Sequence, residues 1–165
     1  MKFGYFCNTT NWTHKPYHQL LDETKEISEY CDQNKWNSIW FTEHHFNHEG
    51  MECCTNPLML GADTAARTKN IRIGQAANVI TFHNPIKLAE DIATLDQLSK
   101  GRVEVGVARG IYGREAINLN VEADLKDQAK NFRLFAETLE ILKKAWTEKF
   151  FSHKGEFYTY PSPNY

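Results

Sequence analysis

The chain has 165 residues and a formal net charge of -2, with 13% aromatic residues. That length allows one domain with a proper core and hardly two. The near-balanced charge gives no reason to invoke nucleic acid or an acidic membrane surface, and no apolar run approaches a membrane span.

Taken in order, Lys2 to Phe6 reads as a first strand that opens without a signal peptide and ends at Cys7. After a polar loop, Pro16 suits the start of a helix, with Leu20, Ile27 and Tyr30 recurring at helical spacing up to Gln33. Ser38 to Thr42 has strand length and composition, and breaks into Glu43, His44 and His45. Asn56-Pro57 announces an Ala-rich helix over Leu58 to Ala66, and Ile71 to Ala77 a third strand continuing through Ile80. Asn84-Pro85 opens a third helix with a stripe of Leu88, Ile92 and Leu95, ended by Gly101. Arg102 to Val107 reads as the fourth strand, followed by Ala108, Arg109 and Gly110. A loop to Ala123 then precedes a long helix, Asp124 to Lys149, with Phe132, Phe135, Leu139, Leu142 and Trp146 on one face. The tail from His153 reads as a turn-and-strand excursion.

Strand and helix thus alternate four times, which implies an α/β fold with a parallel sheet and right-handed crossovers. An open doubly wound sheet and part of a (β/α)₈ barrel both fit. Either way ligands sit at the carboxyl ends of the strands. Those ends carry Cys7, then Glu43-His44-His45, then Ala76-Ala77-Asn78, then Ala108-Arg109-Gly110.

His44 and His45 are neighbours in extended chain, so their side chains diverge. One can act as a base or donor near neutral pH, or both can be satisfied strand-end residues. Arg109 can grip a phosphate with its planar fork or pair with a loop carboxylate. Gly110 allows close backbone approach. Ala76 and Ala77 offer only shape, a flat shelf or close packing. His44, His45, His48 and Glu49 match no ligand spacing, so no metal is expected. Cys7, Cys31, Cys53 and Cys54 lack a C-x-x-C pair and read as reduced thiols of a cytoplasmic protein. Neither G-x-G-x-x-G after the first strand nor a P-loop occurs.

MKFGYF, FTEHHF, GQAANVI and HNPIKLAEDIATLDQLSKGRVEVGVARGIY, in this order and spacing, resemble the N-terminal half of the bacterial-luciferase-like flavin monooxygenases. The resemblance implies a (β/α)₈ barrel of which residues 1–165 form about the first four βα units, a single domain stopping before the fifth strand. It implies reduced flavin mononucleotide (FMN) as co-substrate with oxygen, a small apolar substrate, and a flavin reductase as supplier. By that resemblance His44 matches the catalytic histidine, with Glu43 and His45 beside it. Ala76 and Ala77, with Asn78, match the backbone behind the flavin ring, and Arg109, Gly110 and Ile111 match the phosphate grip. Ala108 stands where light-emitting alpha subunits carry cysteine, which points to ordinary monooxygenation. A non-catalytic flavin-binding or subunit-like barrel, or an inactive fragment, is the alternative. Half a barrel leaves the first and fourth strands as edges. The expectation is therefore a chain that pairs with a C-terminal half or with itself, through inward-facing Phe3, Ile39, Phe41, Ile73 and Val105.

Overall fold

The computed structural model describes residues 1–163. Its principal elements are β1 (Gly4–Cys7), α1 (Tyr17–Gln33), β2 (Ser38–Phe41), α2 (Pro57–Arg67), β3 (Arg72–Val79) and α3 (Pro85–Ser99). They continue with β4 (Val103–Ala108), α4 (Gly113–Leu119), α5 (Gln128–Thr147), β5 (His153–Lys154) and β6 (Thr159–Tyr160). The expected strand–helix alternation is present, with strand ends displaced by a residue or two.

The helix starts follow the local chemistry. Asn56 caps α2 by accepting from the Met59 N–H at 2.9 Å, with Pro57 in the first turn, where no backbone donor is needed. The Asn84 side chain accepts from the N–H groups of Ile86 and Lys87 ahead of α3. Two details were not foreseen. The segment after β4 contains α4 and a 3₁₀ turn, Val121–Ala123, where only a loop was expected. In α5 the buried stripe is Asn131, Leu134, Thr138, Ile141 and Leu142, whereas Phe132 and Trp146 are exposed. Tyr30, one of the residues at helical spacing in α1, is also exposed.

The chain packs as two compact units, 1–78 with 94–107, and 79–93 with 108–165. Within the first, the four parallel strands lie in the order β1-β2-β3-β4, which places β1 and β4 at the two ends. The register aligns Gly4, Ser38 and Arg72, and carries Phe41 opposite Gln75. Alternate residues therefore share a face. Ile39, Phe41 and Ile73 pack with Cys31 of α1, Ala65 of α2 and Leu95 of α3, so they face the helix layer. This corrects the expectation that they point away from it. The opposite face carries Phe6, 59% exposed, and Trp40, whose indole lies over Gly74 and donates to Ser38 Oγ at 2.9 Å. Phe3, before β1, is 61% exposed.

One arginine closes the amino-terminal end of this sheet. Arg102 Nε donates to the Ser99 carbonyl, Nη1 to Thr68 Oγ1 and the Ile71 carbonyl, and Nη2 to the carbonyls of Ala65 and Thr68. The guanidinium thereby serves the carbonyls left over at the end of α2. In the second unit, Glu137 of α5 accepts from His153 and from the backbone N–H groups of residues 156–158, tying the β5–β6 hairpin to the helix. The tail thus forms the expected excursion up to Pro163, and its last two residues lie outside the described ones.

Candidate functional site

β2 ends at Phe41, and Glu43, His44 and His45 follow it outside regular secondary structure. Glu43 is buried and its Oε1 lies 3.1 Å from His45 Nε2. His44 goes the other way, with Nε2 3.3 Å from Oε1 of Glu52. The divergence foreseen from the sequence is seen in these partners, His45 meeting Glu43 and His44 meeting Glu52. His48 lies 3.3 Å from Glu49, at the surface. The histidines thus pair with three different carboxylates, and among the described residues no cluster of three His, Cys, Asp or Glu side chains could hold a metal ion.

The loop that carries Glu52 is anchored directly after that residue. His44 N–H donates to the Cys54 carbonyl at 2.8 Å, and Cys53 N–H to the Thr9 carbonyl at 2.7 Å. Burial, with the Glu43 charge adding to it, pushes the neighbouring Cys54 thiol up to about 12. Cys54 is therefore an apolar packing group and no nucleophile.

β3 is the parallel neighbour of β2, so its end lies along the same edge of the sheet. Ala76 and Ala77 are half-buried there and joined by a cis peptide bond, with Asn78 buried after them. Asn78 Nδ2 donates to Gln75 Oε1 at 3.4 Å, while Gln75 Nε2 is a buried donor without a protein partner.

Arg109, Gly110 and Ile111 belong to the second unit. Arg109 Nη1 reaches two amide oxygens of α5, Asn131 Oδ1 at 3.2 Å and Gln128 Oε1 at 3.4 Å, and its guanidinium lies 5.7 Å from the centre of the Phe132 ring. Its backbone carbonyl accepts from Thr81 Oγ1 at 3.1 Å and from Asn131 Nδ2 at 3.3 Å. Neutral oxygens orient the cation without cancelling its charge. Among the described residues no carboxylate lies within ion-pair distance of Arg109. Gly110 adopts φ +87°, and a Cβ there would come within 3.0 Å of Phe82, so its small size serves local packing as well. Ile111 is exposed.

In the first unit, the end of β3 thus offers a half-buried edge of two methyl groups beside a buried orphan donor, and in the second Arg109 is held by neutral acceptors. The sequence reading missed Glu52, Gln75, Gln128 and Asn131. Asn131 had a legible signal, a polar residue amid the apolar spacing of α5. Glu52 had none, because a loop residue eight positions after His44 obeys no periodic rule.

Comparison with known proteins supplies the family. The model of the luciferase-like monooxygenases matches residues 1–164. The chain belongs to that family. This luciferase-like chain is 34% identical over 143 residues to the oxygenase component of a flavin-dependent trigonelline monooxygenase from Acinetobacter baylyi, covering 87% of the chain and 38% of that protein. It is 30% identical over 162 residues to an alkanal monooxygenase beta chain from Vibrio harveyi, covering 98% and 48%. A monooxygenase crystal structure from Streptomyces bottropensis superposes with a TM-score of 0.87 at 28% identity, over 97% of this chain and 47% of that one. A Pseudomonas putida type II Baeyer–Villiger monooxygenase, solved with FMN, shares the fold with a TM-score of 0.88 at 24% identity, over 96% of this chain and 43% of that one. The four βα units are thus those of the luciferase-like (β/α)₈ barrel, and the chain spans about half the length of the relatives it matches or less. No helix among the described residues is long and apolar enough to cross a membrane.

Proposed function

We propose that this chain supplies the β1–β4 share of a flavin-dependent monooxygenase that oxidises a small apolar substrate with oxygen. The observation that carries the reading is Arg109, a cation directly after a strand, aimed by two amide oxygens and, among the described residues, opposed by no carboxylate. Such a guanidinium suits the FMN phosphate, which it can bind through two parallel hydrogen bonds. Ala76, Ala77 and Asn78 would border the ring system, where any side chain larger than methyl would stand in the way. Gly110 and Ile111 would flank the phosphate. Reduced flavin, when bound, supplies the electrons that activate oxygen. His44 would hold or move a proton beside the reacting atoms, as an imidazole can near neutral pH. Glu43 would keep His45 in place next to it.

A flavin reductase is proposed as the source of reduced flavin, consistent with a relative that is named as an oxygenase component. Four free cysteines suit a reducing compartment, and we place the protein in the cytoplasm on that ground. A second reading, a non-catalytic subunit that keeps the fold, is favoured by the similarity to beta chains of alkanal monooxygenase.

The test is titration of the chain with FMN, alone and together with the remaining half of the barrel, followed by oxygen uptake with chemically reduced FMN and medium-chain aldehydes or cyclic ketones. Flavin binding with substrate-dependent uptake supports the oxygenase, and the His44→Ala protein should then bind FMN but not turn over. Binding without uptake favours the subunit reading. Absence of flavin binding removes both.

A further inference from the structure

We propose that Glu52 is the positioning residue of His44, fixing which ring nitrogen carries the proton; the proposal rests on the reading of His44 as the proton-handling group. The two side chains meet at 3.3 Å through His44 Nε2 and Glu52 Oε1, and they are only 13% and 14% exposed. A carboxylate is acceptor-only when ionised, so the nitrogen facing it must bear the hydrogen. In the neutral ring this selects the Nε2–H tautomer and leaves the lone pair on Nδ1. Nδ1 is then the atom at which the imidazole accepts a proton, and the Glu52 charge stabilises the imidazolium that results. Fixing the tautomer through the hydrogen bond of the second nitrogen is the general way in which a histidine is prepared for proton transfer.

Three features separate this pair from a casual surface contact. The first is the backbone directly after Glu52. Cys53 N–H is bonded to Thr9, and Cys54 accepts from the N–H of His44 itself, so the carboxylate and the imidazole are tied through one short backbone link. The second is Glu52 Oε2, which is buried and has no protein partner, so the carboxylate carries acceptor capacity that the fold does not use. A buried, half-satisfied carboxylate is costly to retain and points to a demand other than packing. The third is the parallel arrangement at His45, which takes a different carboxylate, Glu43. Glu52 can therefore be replaced while the Glu43 carboxylate that faces His45 is kept.

The experiment reads the ring protons directly, without flavin and without turnover, so that it succeeds or fails independently of the oxygenase reading. The protein is labelled with ¹⁵N-histidine, and ring ¹H–¹⁵N correlations are recorded at mildly alkaline pH, where imidazole is neutral. In the unsubstituted protein His44 should show an exchange-protected Nε2–H proton. Glu52→Ala should abolish that signal while the His45 ring signals stay in place. Glu52→Gln, whose side-chain carbonyl can still accept, should restore it. A His44 ring protonated at Nδ1 in the unsubstituted protein overturns the proposal, even if the variants fail to fold. So does a protected Nε2–H that survives Glu52→Ala unchanged.

Discussion

Replacing Arg109 by alanine should separate ligand binding from folding. What the fold loses can be worked from the contacts. Two hydrogen bonds go to neutral amide oxygens at 3.2 and 3.4 Å, and a stack on Phe132 has a cation-to-ring distance of 5.7 Å. Long bonds to neutral acceptors lie at the weak end of about 0.5–1.5 kcal/mol each, and an exposed cation–π contact adds about 0.5–1 kcal/mol. Since these terms overlap, the loss of stability should be about 1–2 kcal/mol, which a domain with about 5–15 kcal/mol survives. A charge-assisted phosphate contact is worth about 1.5–3 kcal/mol, or a rise of roughly 10- to 100-fold in the FMN dissociation constant. The assay is quenching of flavin fluorescence, with riboflavin as the control ligand, because riboflavin carries the same ring system and no phosphate. Arg109→Ala should weaken FMN and leave riboflavin unchanged. Equal losses for the two ligands, or an FMN affinity held within about twofold, less than about 0.5 kcal/mol, would refute the phosphate assignment.

Arg102 should behave in the opposite way, because the five hydrogen bonds of its guanidinium all go to groups of the fold. Arg102→Ala strands several carbonyls and should cost about 3–5 kcal/mol, read as a lower urea midpoint. Arg102→Lys, with three donors and no fork, should recover only part of it. Asp32 gives a pH dependence. Burial tends to raise its pKa, but the backbone N–H groups of Lys69, Ile71 and Asn70 outweigh that and hold it below the usual carboxylate value. Asp32 therefore contributes stability that is fully present above the unfolded pKa of about 4 and is lost as pH falls through the lower folded value. Asp32→Asn should flatten the acid limb of a stability–pH profile, and an unchanged limb would count against the assignment. Cys54, pushed up to about 12, should resist iodoacetamide in the folded protein at neutral pH, whereas half-exposed Cys53 should react first. Mass mapping of the alkylated peptides decides it.

The sequence made the alternation of elements legible because its signals are local. Asn56-Pro57 and Asn84-Pro85 announce helix starts whatever surrounds them, and apolar runs such as Ile39 to Phe41 announce strands. The face on which a strand side chain lies is different in kind. Ile39, Phe41 and Ile73 are apolar enough for either layer of a barrel, and only the packing of α1 to α3 assigns them to the helix side. The stripe of α5 was misread for a related reason. Phe132 looks like core, yet it is exposed and stacks with Arg109, while polar Asn131 is buried next to it to serve the same arginine. Of the site, the chain's own order exposed the residues that follow the strands, His44, Ala76 and Arg109. Their partners Glu52, Gln128 and Asn131 lie 8 to 22 positions away and meet them only in the folded protein.

The indole of Trp40 resting on Gly74 also couples two positions of neighbouring strands that the register sets opposite each other. A methyl group at position 74 would occupy the volume of the six-membered ring, so Gly74→Ala demands a smaller residue at position 40. The pair should therefore drift together. In a library randomised at both codons, survivors should populate large-with-glycine and small-with-alanine combinations and leave the large-with-large corner vacant, a covariation signal between residues 34 positions apart that arises from steric exchange alone.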